Sequence, residues 1–106
     1  MWITPVSKDV NNIKLTHWAV VEADDGRHFC GVDQTDLIGM VRVSTFMLKF
    51  DMTTMTGTTR SGRVYTLIGE PAGLIGRSLA LWEDWAALNN IETWKDVTEE
   101  YTSVAQ

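Results

Sequence analysis

Apolar and polar residues alternate along the first third of the chain with the two-residue period of a β-strand. Over residues 13–23, one face of an extended chain carries four apolar side chains, Ile13, Leu15, Ala19 and Val21. The dipeptide Asp25-Gly26 follows, and Asp-Gly between two strand-like segments is a strong signal for a two-residue hairpin loop. The pattern therefore predicts a β-hairpin in which Asp24 pairs with Arg27.

Two further segments are rich in β-branched and aromatic residues, which favour strands. Residues 40–51 have no helical stripe and predict one strand, and residues 60–68 predict another. Residues 51–57 are interpreted as a long loop whose later threonines lead into the second strand. Pro71 then ends the sheet, because proline cannot donate a hydrogen bond to a central ladder.

Helical spacing appears after the proline. Apolar residues recur every three or four positions, at Ile75, Leu79, Trp82 and Ala86. Two glycines weaken the first turn, so the regular helix is expected to begin near Arg77, with Trp82 in the core. Asn89 and Asn90 are expected to end the helix, because asparagine tolerates a left-handed backbone. Residues 97–101 alternate like a final strand, with a frayed helix as the alternative.

These elements predict an α+β fold with an antiparallel sheet of four to five strands and one main helix packed on it. Residues 1–106 have the length of a single domain. The first residues have neither a basic start nor an apolar run, and no segment is apolar enough to span a bilayer, so neither a secretory signal nor a membrane anchor is expected. A single cysteine suits a reducing compartment, so a cytoplasmic location is expected.

Residues able to carry out catalysis or bind metal are sparse. Strand spacing places His17 about 13 Å along the strand from Val21, the predicted partner of Cys30, and His28 about 6–7 Å further away, whereas zinc ligands lie about 2 Å from one ion. Cys30 has acidic neighbours, which would raise its thiol pKa, so it is interpreted as a small buried thiol. The glycine-flanked segment 57–62 lacks the Lys-Ser/Thr ending of a phosphate-binding loop. The sequence therefore predicts no catalytic residues, no metal site and no cofactor.

The net charge is −5, and 11 of the 14 acidic residues fall into two segments. Residues 22–36 have five acidic side chains against Arg27 alone, and residues 83–100 have six against Lys95 alone. Such segments would present an acidic face to a basic partner, and Trp85 would be the apolar anchor of that face. The simpler alternative is that these residues are solvated surface charges. The predicted partner-binding residues are Asp24, Asp25, Asp33, Asp36, Trp85, Glu92, Asp96, Glu99 and Glu100.

A second hypothesis starts from the basic residues between the two acidic segments. Arg42, Arg60 and Arg63 would form a basic stripe if the strands at 40–51 and 60–68 were neighbours. With Tyr65, the stripe would make a nucleic-acid-binding face. The alternative is that these arginines pair with acidic residues on neighbouring strands.

The C-terminal half carries a resemblance to known proteins. The matching residues are Ser61-Gly62-Arg63-Val64-Tyr65, Gly69-Glu70-Pro71, Trp82-Glu83-Asp84-Trp85 and Asp96-Val97-Thr98. This pattern resembles small uncharacterised proteins of proteobacteria and their prophages, in which a Ser-Gly-Arg-x-Tyr strand leads through a Gly-x-Pro turn into a Trp-containing helix. Ala72, between Pro71 and Gly73, departs from that pattern.

By class alone, a small acidic phage-like protein is similar to anti-CRISPR proteins and other inhibitors of bacterial defence. The resemblance implies a non-catalytic phage-type protein that acts in the host cytoplasm, as a monomer or a homodimer. Its expected partner is a bacterial nucleic-acid-binding protein, whose basic groove the acidic surface would occupy without direct contact to nucleic acid. The alternative is a small nucleic-acid-binding or regulatory module that uses the basic stripe.

Overall fold

The computed structural model describes residues 12–35 and 38–102, and this part of the chain has an α+β fold. It contains seven strands and one α-helix: β1 (Asn12–Ala23), β2 (Gly26–Asp33), β3 (Val41–Val43), β4 (Met47–Asp51), β5 (Thr56–Thr59), β6 (Val64–Leu67), α1 (Arg77–Leu88) and β7 (Trp94–Asp96), followed by a 3-10 helix (Thr98–Tyr101). The α+β prediction is confirmed. The sheet has more strands than the four to five expected.

All seven strands belong to one mixed sheet with the order β3-β2-β1-β6-β5-β4, and β7 pairs with the C-terminal part of β1. Every pair is antiparallel except β1–β6, which is parallel. The expectation of a purely antiparallel sheet is therefore wrong for this pair. β6 reaches β1 at the end of a second meander, β4–β5–β6, so no tight hairpin forces the two strands to run in opposite directions.

The middle of the chain contains more strands than the sequence pattern predicts. Residues 40–51, predicted as one strand, form β3 and β4, separated at Ser44, whose backbone N–H donates to the Phe29 carbonyl. β5 begins inside the predicted loop at 51–57 and occupies its last two residues. A Cβ atom on Gly57 of β5 would lie 2.4 Å from Phe29 Cζ, so close packing against Phe29 requires glycine there.

The first hairpin has a register two residues away from the predicted one. Its loop is Asp24-Asp25, and Ala23 pairs with Gly26. Gly26 has a φ of 140°, and a Cβ atom there would lie 3.1 Å from Phe46 Cβ. Glycine is therefore needed at the first position of β2, and the Asp-Gly pair does not form the loop.

A β-bulge at His17 reverses the alternation of side chains along β1. His17 has a φ of 49°, and the register with β2 shifts between Thr16 and Ala19. Leu15, before the bulge, packs in the same cluster as Val20 after it. The prediction that Ile13, Leu15, Ala19 and Val21 share one face is therefore wrong, because the extra residue moves the later side chains to the opposite face.

Two hydrophobic clusters pack against β1. The sheet core contains Ile13, Leu15, Trp18, Val20, Phe29, Tyr65, Leu67, Val97 and Tyr101. The helix core contains Val21, Trp82 and Ala86, with Trp85, Ile91 and Trp94 partly buried against them. Val20 and Val21 are consecutive strand residues and point to opposite faces, so the two clusters lie on opposite sides of the sheet.

The helix begins and ends where the sequence pattern predicts, except that Ile75, the first residue of the predicted stripe, lies before it and is 66% exposed. α1 begins at Arg77, its Trp82 is fully buried, and Asn90 just beyond its end has a φ of 58°. The segment at 97–101 is a 3-10 helix instead of a strand. The Thr98 hydroxyl accepts a 3.0 Å hydrogen bond from the Val20 N–H, which fixes this segment against β1.

Candidate functional site

The structure brings four of the predicted partner-binding residues together at one end of the molecule, here called the acidic end: Asp24, Asp25, Trp85 and Glu92. Asp24 Oδ2 accepts a 2.8 Å hydrogen bond from the Glu92 N–H. Asp25 Oδ1 lies 2.7 Å from His28 Nε2, and the His28 ring lies 4.8 Å from the Trp85 ring, centroid to centroid. A continuous set of contacts therefore joins the hairpin loop, α1 and the segment before β7.

Asp24 holds the hairpin loop against that segment. Its carboxylate accepts hydrogen bonds from the Thr93 hydroxyl and from the N–H groups of Glu92 and Thr93. The Thr93 hydroxyl, followed by the Glu92 N–H, lowers the pKa of Asp24 below its ordinary value of 3.8. Asp24 is thus an ionised, exposed group in a fixed position.

His28 anchors the acidic end from inside. The ring is fully buried, and Nδ1 donates a 2.7 Å hydrogen bond to the Ser44 carbonyl, while Nε2 faces Asp25. The ring packs at 5.3 Å from Trp82 and 4.8 Å from Trp85, and the two indoles stack at 5.3 Å. Trp85 is therefore half-buried, with part of its ring held by the helix core and part left at the surface.

Asp33 contributes nothing to an exposed acidic face. It is 4% exposed, accepts hydrogen bonds from Thr35, and lies 3.2 Å from Arg42 Nη1. Asp36, the remaining acidic residue predicted in this segment, lies outside the described residues.

The other three predicted acidic residues lie around a separate open cavity of about 670 Å³, lined by Asp96, Glu99 and Glu100 together with Lys95. Glu100 Oε1 lies 2.8 Å from Arg27 Nη1, so its charge is paired. Asp96 is occupied within the chain, since its carboxylate accepts hydrogen bonds from the N–H groups of Leu74 and Thr98. Of these three carboxylates the structure pairs the charge of Glu100 with a cation, whereas Asp96 stays ionised because its hydrogen bonds lower its pKa.

The four residues of the basic hypothesis do not form one stripe. β5 separates β6 from β4, so the strands predicted at 40–51 and 60–68 are not neighbours in the sheet. Arg42 Nε donates to the Tyr65 hydroxyl at 3.3 Å, and Tyr65 is only 1% exposed, so its ring offers no stacking surface. Arg60 lies over the Phe46 ring at 5.9 Å in the β5–β6 turn. Arg63 Nε is buried and has no hydrogen-bond partner within the described residues.

The predicted partner-binding residues left out two exposed acidic side chains of α1. Glu83 and Asp84 lie on α1 and are both solvent-exposed. Helical spacing from the buried Trp82 and Ala86 was the available signal, because it places both carboxylates away from the helix core.

Within residues 12–35 and 38–102, no three His, Cys, Asp or Glu side chains converge in a way that could hold a metal ion. No helix in that part of the chain is long and apolar enough to cross a membrane.

Burial raises the pKa of the Cys30 thiol to about 12, so the thiol is neutral at ordinary pH. The sequence interpretation assigned that shift to acidic neighbours, whereas the physical cause is desolvation.

Two tryptophans, two turn aspartates and a glutamate thus meet at one end of the sheet. Compared with known proteins, the chain matches no protein family, no curated protein and no solved structure.

Proposed function

We propose that this protein is a non-catalytic binding protein whose acidic end occupies a basic, nucleic-acid-binding surface on another protein. The observation that carries the proposal is the fixed placement of the Asp24 and Asp25 carboxylates beside Glu92 and the half-buried Trp85. Groups held in position before binding lose little conformational freedom on binding, so more of their interaction energy appears as affinity.

The chemistry of the acidic end favours a cationic groove as its target. Carboxylates in fixed positions attract the lysines and arginines that otherwise bind phosphates, and this attraction speeds encounter. The surface part of the Trp85 ring supplies an apolar contact among the charges, as tryptophan often does at binding hot spots. By the resemblance drawn from the sequence, the target belongs to a bacterial defence complex and the protein acts as its inhibitor.

The test measures competition with nucleic acid. A partner recovered from bacterial lysate on the immobilised protein is purified and loaded with fluorescent nucleic acid, and its release is followed by anisotropy. We expect the wild-type protein to displace the label. For Glu92→Lys, we expect about tenfold slower association at low salt, and a smaller difference as salt rises.

Glu70→Lys is the matched control. The substitution changes the charge by the same amount, and Glu70 is exposed and is not part of the acidic end. Equal association rates for Glu92→Lys and wild type would contradict the proposal, provided that both variants remain folded. Direct binding of the free protein to random DNA, lost in Arg60→Gln, would instead support the nucleic-acid-binding module.

A further inference from the structure

A second cleft, of about 280 Å³, lies between the sheet and the start of α1. The bulge of β1, the end of β2, the chain entering β3 and the first turn of α1 surround it. Its volume is close to the lower end of the range found for small-molecule sites, about 300–1,000 Å³. It shares no lining residue with the acidic end, so the inference below is independent of the proposed function.

The walls of this cleft are largely apolar. Val32, Val41 and Ile75 line it, and Ile75 is 66% exposed. Gly31 forms part of the floor, where a Cβ atom would lie 3.0 Å from the Thr16 carbonyl oxygen. Glycine therefore lets the bulge approach β2 closely and leaves the floor free of a side chain.

The polar groups of the cleft are Arg77 and His17, together with the Ser78 hydroxyl. Within the described residues, the side chains of Arg77 and His17 have no hydrogen-bond or ion-pair partner, and no acidic residue lines the cleft. The Ser78 hydroxyl is occupied by the backbone of Ile75. Strained positive-φ residues at bulges often serve to aim a side chain, and His17 is such a residue.

We propose that this cleft binds a small amphipathic carboxylate. The apolar body packs on Val32, Val41 and Ile75, and the carboxylate accepts hydrogen bonds from the Arg77 guanidinium, whose planar fork matches carboxylate geometry. His17 adds a further N–H donor, which the imidazole offers in either neutral tautomer. The Arg77 guanidinium has no partner within the described residues and lies beside an apolar cavity, although the chain has a net charge of −5. This cation is the feature that selects an anionic ligand.

The pairing of the strands favours a free small molecule over an extended peptide. Val32 of β2 pairs with Thr16 on one side and with Val41 on the other. At β2 the floor of the cleft therefore offers no unpaired strand edge to which a peptide backbone could add, and the edge strand β3 lines the cleft only through Val41.

The test is an NMR titration with hexanoate and, as the uncharged match, hexanol. We expect hexanoate to shift the amide signals of Gly31 and Gly39, and Arg77→Gln to weaken its binding by about tenfold or more. Arg60→Gln, which removes an arginine far along the chain from the cleft, should bind hexanoate like the wild type. Ile75→Asp, at an exposed position, should abolish binding by placing a carboxylate in the cleft.

Three outcomes would overturn the proposal. The first is the absence of shifts at Gly31 and Gly39 with hexanoate. The second is binding of hexanol as tight as that of hexanoate, which would remove the role of the charge. The third is tighter binding of a leucine-terminated tripeptide than of hexanoate, which would make the occupant a peptide.

Discussion

His28 connects three separate parts of the fold through one imidazole ring. It binds the Ser44 carbonyl between β3 and β4, faces Asp25 in the hairpin loop, and contacts Trp82 and Trp85 on α1. A buried polar side chain is stable only where its polar atoms find partners, and both ring nitrogens of His28 do so. The position of the acidic end therefore depends on a residue that no partner would touch.

We expect His28→Phe to destabilise the protein by about 1–3 kcal/mol, because it fills the same space but leaves the Ser44 carbonyl without its partner. The free energy of unfolding is measured by urea titration. His17→Asn is the matched control, since His17 is exposed and asparagine tolerates positive φ, and its stability should change by less than about 0.5 kcal/mol. A His28→Phe variant as stable as the wild type would show that the ring contributes only its volume.

Single residues differ in how far their environment can be predicted from the sequence. Charge pattern was enough to select Asp24, Asp25 and Glu92, which the fold brings together. It was misleading for Asp33, because nothing local shows that Arg42 arrives from the next strand to pair with a buried carboxylate. Side-chain pairing across strands is a property of register, and the register is fixed by contacts distant in sequence.

At the scale of elements, α1 was the easiest to predict and β5 the hardest. The stripe through Trp82 and Ala86 depends only on neighbours within one helix, so the sequence contains the whole signal. β5 consists of threonine and glycine, and its Gly57 is explained by the Phe29 ring on a distant strand. The parallel β1–β6 pair was missed for the same reason, since its partner is set by the route of the whole chain.

We expect Trp82→Ala to lower the free energy of unfolding by about 3–5 kcal/mol, because it removes the fully buried indole at the centre of the helix core. Chemical denaturation with fluorescence or circular dichroism detection measures the change. Leu88→Ala on the same helix serves as the control: Leu88 is 82% exposed, so the loss should stay below about 0.5 kcal/mol. A loss under about 1 kcal/mol for Trp82→Ala would place the helix core elsewhere.

At the scale of the whole molecule, ion pairs and hydrogen-bonded carboxylates connect segments far apart in the chain. Arg27 of β2 binds Glu22 of β1, Glu100 and the Tyr101 hydroxyl, and so fixes the 3-10 helix to the first hairpin. Hydrogen bonds from Arg27 lower the pKa of Glu22 below 4.5. For Asp96, burial is the largest single influence and acts to raise the pKa, but the hydrogen bonds from Thr98 and from the Leu74 N–H together outweigh it, so the pKa falls below 3.8.

Acid should therefore destabilise the protein. Glu22, Asp24 and Asp96 all have a lower pKa in the folded state, so the unfolded chain binds protons more readily. Their stabilising effect is fully present above about pH 4.5 and is lost as the pH falls through the folded-state pKa values, which lie below 4.5 for Glu22 and below 3.8 for Asp24 and Asp96. Thermal unfolding midpoints measured from pH 7 to pH 2 should fall mainly below about pH 4.5. Asp24→Asn should show a weaker fall, and a midpoint constant down to pH 2 would contradict the assignment.

The bulge at His17 has a consequence for how the chain can vary in length. Before the bulge the odd-numbered residues Ile13 and Leu15 face the sheet core, and after it the even-numbered Trp18 and Val20 do so, while Val21 faces the helix core. Removing His17 would take out the extra residue and leave a strand of regular alternation, in which Leu15, Trp18 and Val20 still face the sheet core. Removing Ala19 would instead turn Val20 toward the helix and Val21 toward the sheet core, so β1 should tolerate the loss of one residue at the bulge better than beyond it.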